Sequence, residues 1–462
     1  KKREVNLQQK PWITRGLLIS MMKRDKIHNK FRSEKRPDIK LQLFCLYKKY
    51  RNLIVVLLRK IKILHFRNYF RENSANIKKT WDGIKSIIQI SKKRNGSTPG
   101  SVKTMGSIAS NPKDIANAFN KYFSSIGKSL DNKIPNPTHN FRYYLKNASN
   151  QSMFLSDTTA AEVANIINSL QTSKANGPNS IPSRLLKVVC NVVSQPLSHI
   201  INQSFAQSLF PSCLKIAQVI PVYKSGSTDA CSNYRPISLL SNISKIFEKA
   251  MHDRLYSYFD NFHLIYDHQF GFRKKHSPNH CLLSLVEQIK NNIDKGNFTC
   301  GVFLDLQKAF DTVNHNILLQ KLDHYGVRGG INDWFYSFLS DRKQYVSIES
   351  ESSSVLEIEY GVPQGSVLGP FLFLIYINDL RHCLTNALAH HFADDTSILL
   401  SHQSLKVMRK SLGNELKKLF DWLCANRLSL NSQKTDLILF KPSSRKTELR
   451  LTVKIGDTKI FP

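Results

Sequence analysis

An α+β fold is predicted by three features of the 462-residue sequence. Helix-like and strand-like segments alternate from about residue 158 onward. Two pairs of strand-like runs, 343–348 with 355–360 and the two halves of 388–400, are close enough in sequence to form antiparallel hairpins. The first 95 residues carry apolar side chains at helical spacing and have no strand character. Taken in order, residues 1–95 read as basic helix, clearest over 40–70, and 91–110, rich in Lys, Gly and Ser, read as a linker. Asn111 before Pro112 is a helix start, with Ile115, Ala118, Phe119 and Phe123 on one face. A turn-rich gap at 131–139 holds Pro135 and Pro137. A helix begins at Thr159 (TAAEVANIINSL) and is followed by a polar Gly-Pro loop at 173–182. Residues 216–223 (IAQVIPVY) form a strand, 224–233 a loop and 243–259 a helix. Residues 300–306 (CGVFLDL) form a strand, with helix from Phe310. An apolar helix follows Ser366, and 405–425 is a long amphipathic helix. The predicted sheet is antiparallel and covered by helices on one face, and no internal repeat is visible.

Composition narrows the function classes. The net charge is +33, and it is uneven: residues 1–100 hold 27 Lys/Arg against 6 Asp/Glu. A basic end of this kind attracts polyanions through counterion release. The competing partner is an anionic membrane surface, because residues 52–66 (NLIVVLLRKIKILHF) are both basic and apolar. Arg59, Lys60 and Lys62 interrupt that run, so no clean span of 18 apolar residues exists, and no lipidation motif is present. No stable membrane association is expected. The eight cysteines are scattered without a C-x-x-C pair, which argues against zinc fingers and for free thiols. The string opens on Lys rather than Met and reads as a fragment of about three domains.

Three carboxylates carry the strongest chemical signal. Asp394 and Asp395 sit in a turn between two apolar runs (HFADDTSILL), and Asp305 lies near the end of the strand CGVFLDL. An Asp pair in a turn is commonly structural. Flanking runs that belong in a core favour function instead. If the three converge, they can hold two divalent ions about 3.5–4 Å apart, the arrangement used in nucleotidyl transfer. Residues 361–370 (GVPQGSVLGP) form a glycine-rich loop without the Walker pattern. It is either an ordinary helix-capping loop or a place where Gly361 and Gly365 let backbone approach a nucleotide beside Gln364. Lys224 and Arg235 are either solvated charges or cations for a triphosphate.

These pieces occur in a fixed order: ANGPNSIPSRLLK, AQVIPVYKSG, NYRPISLLSNISKIFEK, HQFGFRKKHS, FLDLQKAFDTVNH, GVPQGSVLGPFLFLIYINDL, HFADD and WLCANRLSLNSQKT, over about residues 173–436. In that order the chain resembles the reverse transcriptases of non-LTR retrotransposons, the LINE elements, and among them the jockey-like group. PWITRGLL, WDGIKSII and NPKDIANAFNKYF resemble the segment that precedes the polymerase in these elements. The resemblance implies an RNA-directed DNA polymerase with the fingers and palm of a right-hand polymerase. Residues 1–150 would be a basic helical extension, 151–299 fingers-like, 300–440 the palm, and 441–462 the start of the region leading to the thumb. It implies that Asp305, Asp394 and Asp395 hold two Mg²⁺ ions, with Mn²⁺ as a substitute, Asp305 and Asp394 foremost. Phe310 would bar a ribose 2′-OH, Gln364 would touch the incoming nucleotide and template, and Lys224 and Arg235 would hold its triphosphate. Lys434 would protonate the departing pyrophosphate, or else be a plain surface lysine. Asp311 is read as structural, as a cap on the helix. The implied partners are an RNA template, a DNA primer and deoxynucleoside triphosphates, in an intracellular, nuclear setting with cytoplasmic assembly on element RNA. Asn179 stands where the family often has Asp. The family's primer-grip hairpin and thumb are expected to begin at about 460–462, which leaves a second expectation open: an inactive, truncated nucleic-acid-binding remnant.

Overall fold

The computed structural model describes residues 11–74, 76–87, 99–104, 108–146, 148–173, 175–178, 181–443, 445, 452–456 and 458–460. Asn179 and most of the expected linker lie outside them. The chain divides into two compact units, Lys1–Asn95 and Gly96–Pro462.

The first unit is helical, as its spacing predicts: Arg15–Ser33, Pro37–Glu72 and Ile77–Ile87. Thr14 caps the first helix by accepting from the Leu17 N–H, and Pro37 opens the second, where a missing N–H costs nothing. Leu17, Ile54 and Phe66 are buried, and Trp12 packs on Phe66 with ring centroids 5.5 Å apart. Leu41, Leu53, Ile63 and Leu64 remain more than half exposed. No helix among the described residues is long and apolar enough to cross a membrane.

The second unit mixes helices with two principal sheets, an α+β arrangement. One sheet has four strands, all antiparallel, in the order Asp436–Phe440, Phe298–Leu304, Asp395–His402, Leu388–Phe392. Side chains alternate across it. Cys300, Val302, Ile398 and Leu400 point into the main core, which includes Leu412, Leu416 and Leu419 of the helix Leu405–Ala425. Leu399, on the opposite face, packs with Cys281 and Leu285 of the helix Pro278–Asp294. The sheet is therefore covered on both faces, where the sequence predicted cover on one.

In the other sheet, Ile216–Tyr223 pairs antiparallel with Tyr234–Leu239 but parallel with Arg342–Ile348. The expectation of purely antiparallel sheets is corrected here. More than a hundred residues separate the two parallel strands, ample for the crossover that parallel pairing requires. The expected pairing of 343–348 with 355–360 forms as Arg342–Ile348 with Leu356–Ile358. Pro112–Asp131, capped by Asn111 as predicted, packs Ile115, Phe119 and Phe123 against Val219, Tyr234 and Val346. Within the expected linker, Val102–Lys103 and Ile108–Ala109 form a small ribbon. The apolar helix after the glycine-rich loop begins at Gly369, three residues later than read from sequence, because the Ser366 hydroxyl accepts from the Gly369 N–H at 2.7 Å.

A fully buried ion pair joins the helix His315–His324 to the end of the apolar helix Gly369–Ile377. Lys321 Nζ donates to Asp379 Oδ1 at 2.5 Å and to the Tyr376 carbonyl at 2.5 Å, and Trp422 Nε1 donates to Asp379 Oδ2 at 3.1 Å. Removing one partner strands a buried charge, so Asp379→Asn is expected to cost about 3–5 kcal/mol, read from the midpoint of urea unfolding. Replacing both partners (Lys321→Met with Asp379→Leu) should restore most of that loss.

Candidate active site

Asp305 directly follows the strand Phe298–Leu304, whose partner strand begins at Asp395. The register pairs Leu304 with Thr396, and one further step sets Asp305 opposite Asp395. Asp394 occupies the turn between Leu388–Phe392 and Asp395–His402. Strand pairing across ninety residues of sequence thus brings all three carboxylates to one end of the sheet's two inner strands, which forms the acidic edge of the site.

Two side chains that the sequence reading left without a role hold this edge. Gln269 Oε1 accepts from the Gly271 N–H at 2.9 Å and from the Ala393 N–H at 3.1 Å. Ala393 has φ +59°, a left-handed turn that needs such a restraint. Around it, Phe270 N–H donates to the His391 carbonyl and His391 N–H to the His268 carbonyl. Gly271 is pressed so close that a Cβ there would stand 2.2 Å from the Ala393 nitrogen. On the other side, Asn431 Nδ2 donates to Asp305 Oδ2 at 2.7 Å, and its own N–H donates to the Asp305 carbonyl at 2.8 Å. The Asn431 carbonyl accepts from the Lys434 N–H, which ties Lys434 to the same corner. HQFGF and LNSQK occur among the resemblance motifs, but acceptance from distant backbone leaves no periodic trace in sequence.

The electrostatics agree with this convergence. Burial raises the carboxyl of Asp394, and the charges of Asp395 and Asp305 raise it further, while Lys224 opposes them. Asp395 is likewise raised by burial and then by Asp305. Burial lowers the Lys224 ammonium, and the nearby Lys434 and Arg235 lower it further against the pull of Asp305. Carboxylates and cations from four segments therefore share one electrostatic neighbourhood. No group of three His, Cys, Asp or Glu side chains among the described residues is gathered tightly enough to ligate an ion as it stands. Asp305 has one oxygen on Asn431. The donor set still suits a hard divalent cation, whose charge would offset the burial and the mutual repulsion that raise Asp394 and Asp395.

The glycine-rich loop closes another side. Its Val362 N–H donates to the Phe310 carbonyl and Gly361 N–H to the Val313 carbonyl, both at 2.8 Å. Gly361 has φ +85°, and a Cβ there would meet the Phe310 carbonyl oxygen at 2.8 Å. Phe310 stacks on Phe373 at 4.7 Å and meets Phe272 edge-on. The Gln364 carbonyl accepts from Ser238 N–H at 2.8 Å, and its Nε2 donates to Asp311 Oδ1 at 2.8 Å. Asp311 is thus the anchor of Gln364, not the expected helix cap. The following helix, His315–His324, is capped by Asn314. Glu248, fully buried and unremarked in the sequence, accepts from Val367 and Leu368 N–H at the start of the apolar helix.

Acidic strand ends beside a group of cations make a site suited to phosphate chemistry. Residues 222–453 match the family model described as reverse transcriptase (RNA-dependent DNA polymerase). That match covers half of the chain, and the chain belongs to this family. It is 31% identical over 309 residues to the RNA-directed DNA polymerase from mobile element jockey of Drosophila melanogaster, covering 64% of this chain and 33% of that protein. It is 28% identical over 385 residues to the probable RNA-directed DNA polymerase from transposon BS of the same species, covering 80% and 42%. A putative COX1/OXI3 intron 2 protein of Saccharomyces cerevisiae is 31% identical over 172 residues, covering 37% and 19%. The similarity to jockey-like elements read from the motif order is borne out. The chain spans well under half the length of these relatives.

Burial pushes the Asp311 carboxyl up to about 6, against the smaller opposing effects of Lys308 and the Gln364 bond, and its Oδ2 is buried without a partner. Between about pH 4 and pH 6 the folded chain keeps this proton while the unfolded chain has lost it, so this group's contribution to stability falls as pH rises. Asp311→Asn removes that dependence. Relative to wild type, the variant should gain up to about 3 kcal/mol between pH 4 and pH 7 in urea-unfolding measurements.

Proposed function

We propose that this chain is the polymerising part of a jockey-like non-LTR retrotransposon reverse transcriptase, which extends a DNA primer by deoxynucleotides on an RNA template. The observation that carries the reading is the strand register that sets Asp305 against the Asp394–Asp395 turn. In this reading residues 300–440 act as palm, 151–299 as fingers, and 1–150 as a basic extension on the template RNA, working in the nucleus after assembly in the cytoplasm. Asp305 and Asp394, with Asp395 beside them, would hold the divalent ions. Bound Mg²⁺ would supply positive charge to the primer hydroxyl and to the leaving phosphates.

The remaining roles belong to the chain's own side chains. Lys224 and Arg235 grip the triphosphate oxygens, the guanidinium in two-pronged fashion. Phe310, braced by Phe373, closes the space beside the sugar of the incoming nucleotide and excludes a 2′-OH. Gln364, fixed by Asp311 and by the backbone of Ser238, contacts the nucleotide and template. Lys434 stands with Lys224 and serves as the acid for pyrophosphate.

Primer extension tests the reading. Asp394→Asn is expected to lower the rate at least about a hundredfold, roughly 3 kcal/mol of barrier, while RNA binding stays within a factor of about two. Unchanged extension in that variant would refute the assignment, and a wild-type chain that binds RNA but extends nothing would mark a binding remnant. RNA affinity of the whole chain should fall at least about tenfold between about 50 and 200 mM salt, measured by filter binding. A flat response would remove the phosphate-binding role from the basic residues.

A further inference from the structure

Lys308 has no place in the scheme above, yet its ammonium joins two of the segments that build the site. It lies three residues after Asp305 and two before Phe310, with φ +50° and ψ +43°. That left-handed backbone is one glycine adopts freely and a lysine adopts only under strain. From there the side chain reaches across more than seventy residues of sequence. Nζ donates to the Tyr234 carbonyl at 2.9 Å and to the Ser232 carbonyl at 3.3 Å, and it lies 5.9 Å from the centre of the Tyr122 ring.

These carbonyls flank Asn233, whose own carbonyl accepts from the Lys224 N–H at 2.9 Å. Arg235 is the residue after Tyr234, and it pairs with Val222 in the strand ladder. One ammonium therefore holds the short stretch of main chain from which Arg235 projects and to which Lys224 is hydrogen-bonded. Lys308 itself is half-buried; burial lowers its ammonium, Asp311 opposes that, and Lys224, Arg235 and Lys434 lower it further.

We infer that Lys308 is a positioning residue that pins the Lys224–Arg235 hairpin to the Asp305–Phe310 turn, setting the distance between the triphosphate cations and the carboxylate edge. The inference rests on the reading of Lys224 and Arg235 given above. Lys308 acts through its two carbonyl contacts, so a side chain of similar length without donors should loosen nucleotide binding and leave the fold in place. A second multi-donor cation should restore it.

The test uses the full chain and two probes, Mg²⁺–dTTP and inorganic tripolyphosphate, with affinities measured by titration calorimetry and KM and kcat by primer extension. Lys308→Met is expected to weaken both probes, and to raise the KM for dTTP, at least fivefold with kcat changed less than threefold. Lys308→Arg should come back to within threefold of wild type. Lys308→Gly, which relieves the backbone but lacks the ammonium, should behave like the Met variant. If Met does not fold, the Gly variant decides alone. Wild-type affinity in the Met or Gly variant, or a fall in kcat with KM unchanged, would overturn the inference. A wild-type chain that binds tripolyphosphate with this dependence on Lys308 but extends no primer would sink the polymerase reading and leave the positioning role standing.

Discussion

A single strand register is the constraint around which this site is organised. Asp305, Asp394 and Asp395 reach one edge only because Phe298–Leu304 and Asp395–His402 pair in a single register. A slip of one residue would turn every side chain of a strand to the opposite face, carrying Ile398 and Leu400 out of the core. The apolar packing beneath the sheet therefore enforces the acidic cluster above it. The gain from burying the strands offsets the cost of bringing like charges together.

The rest of the site is held by polar contacts between segments remote in sequence. Gln269 fixes the turn before Asp394 from one side, and Asn431 fixes Asp305 from the other. Glu248 anchors the start of the helix behind the glycine-rich loop, and Asp311 anchors Gln364 within it. Removing any of them would leave buried backbone donors, an unguided amide or an unheld carboxylate, so rigidity here comes from satisfied hydrogen bonds as much as from packing.

The sequence made the elements legible more readily than their partnerships. The helix Leu405–Ala425, the Asn111 cap and the Leu388–Leu400 hairpin could be read because each is written in local periodicity or local capping chemistry. The parallel pairing of Ile216–Tyr223 with Arg342–Ile348 could not, since period-2 patterning names a strand but not its neighbour. Leu399 was one apolar letter in a run, and only the structure shows that it packs against a second helix. Asp311 was misread for the opposite reason: a short acidic residue before a helix fits the capping pattern, but the tertiary contact to Gln364 prevails over it. Among the residues of the candidate site, the carboxylates and cations stood out by charge and motif. Gln269, Asn431 and Glu248 act by accepting from or donating to distant main chain, for which no spacing rule exists.

The contact between Gly271 and the Ala393 nitrogen bears on how copies of such a gene decay. Every missense change of a glycine codon adds a β-carbon, and at this position any β-carbon strikes a peptide nitrogen that cannot yield without disturbing the aspartate next to it. A drifting copy would therefore lose the shape of its acidic edge through codon 271 while all three aspartate codons remained unaltered. A survey that counted only intact acidic triplets would score that copy as sound.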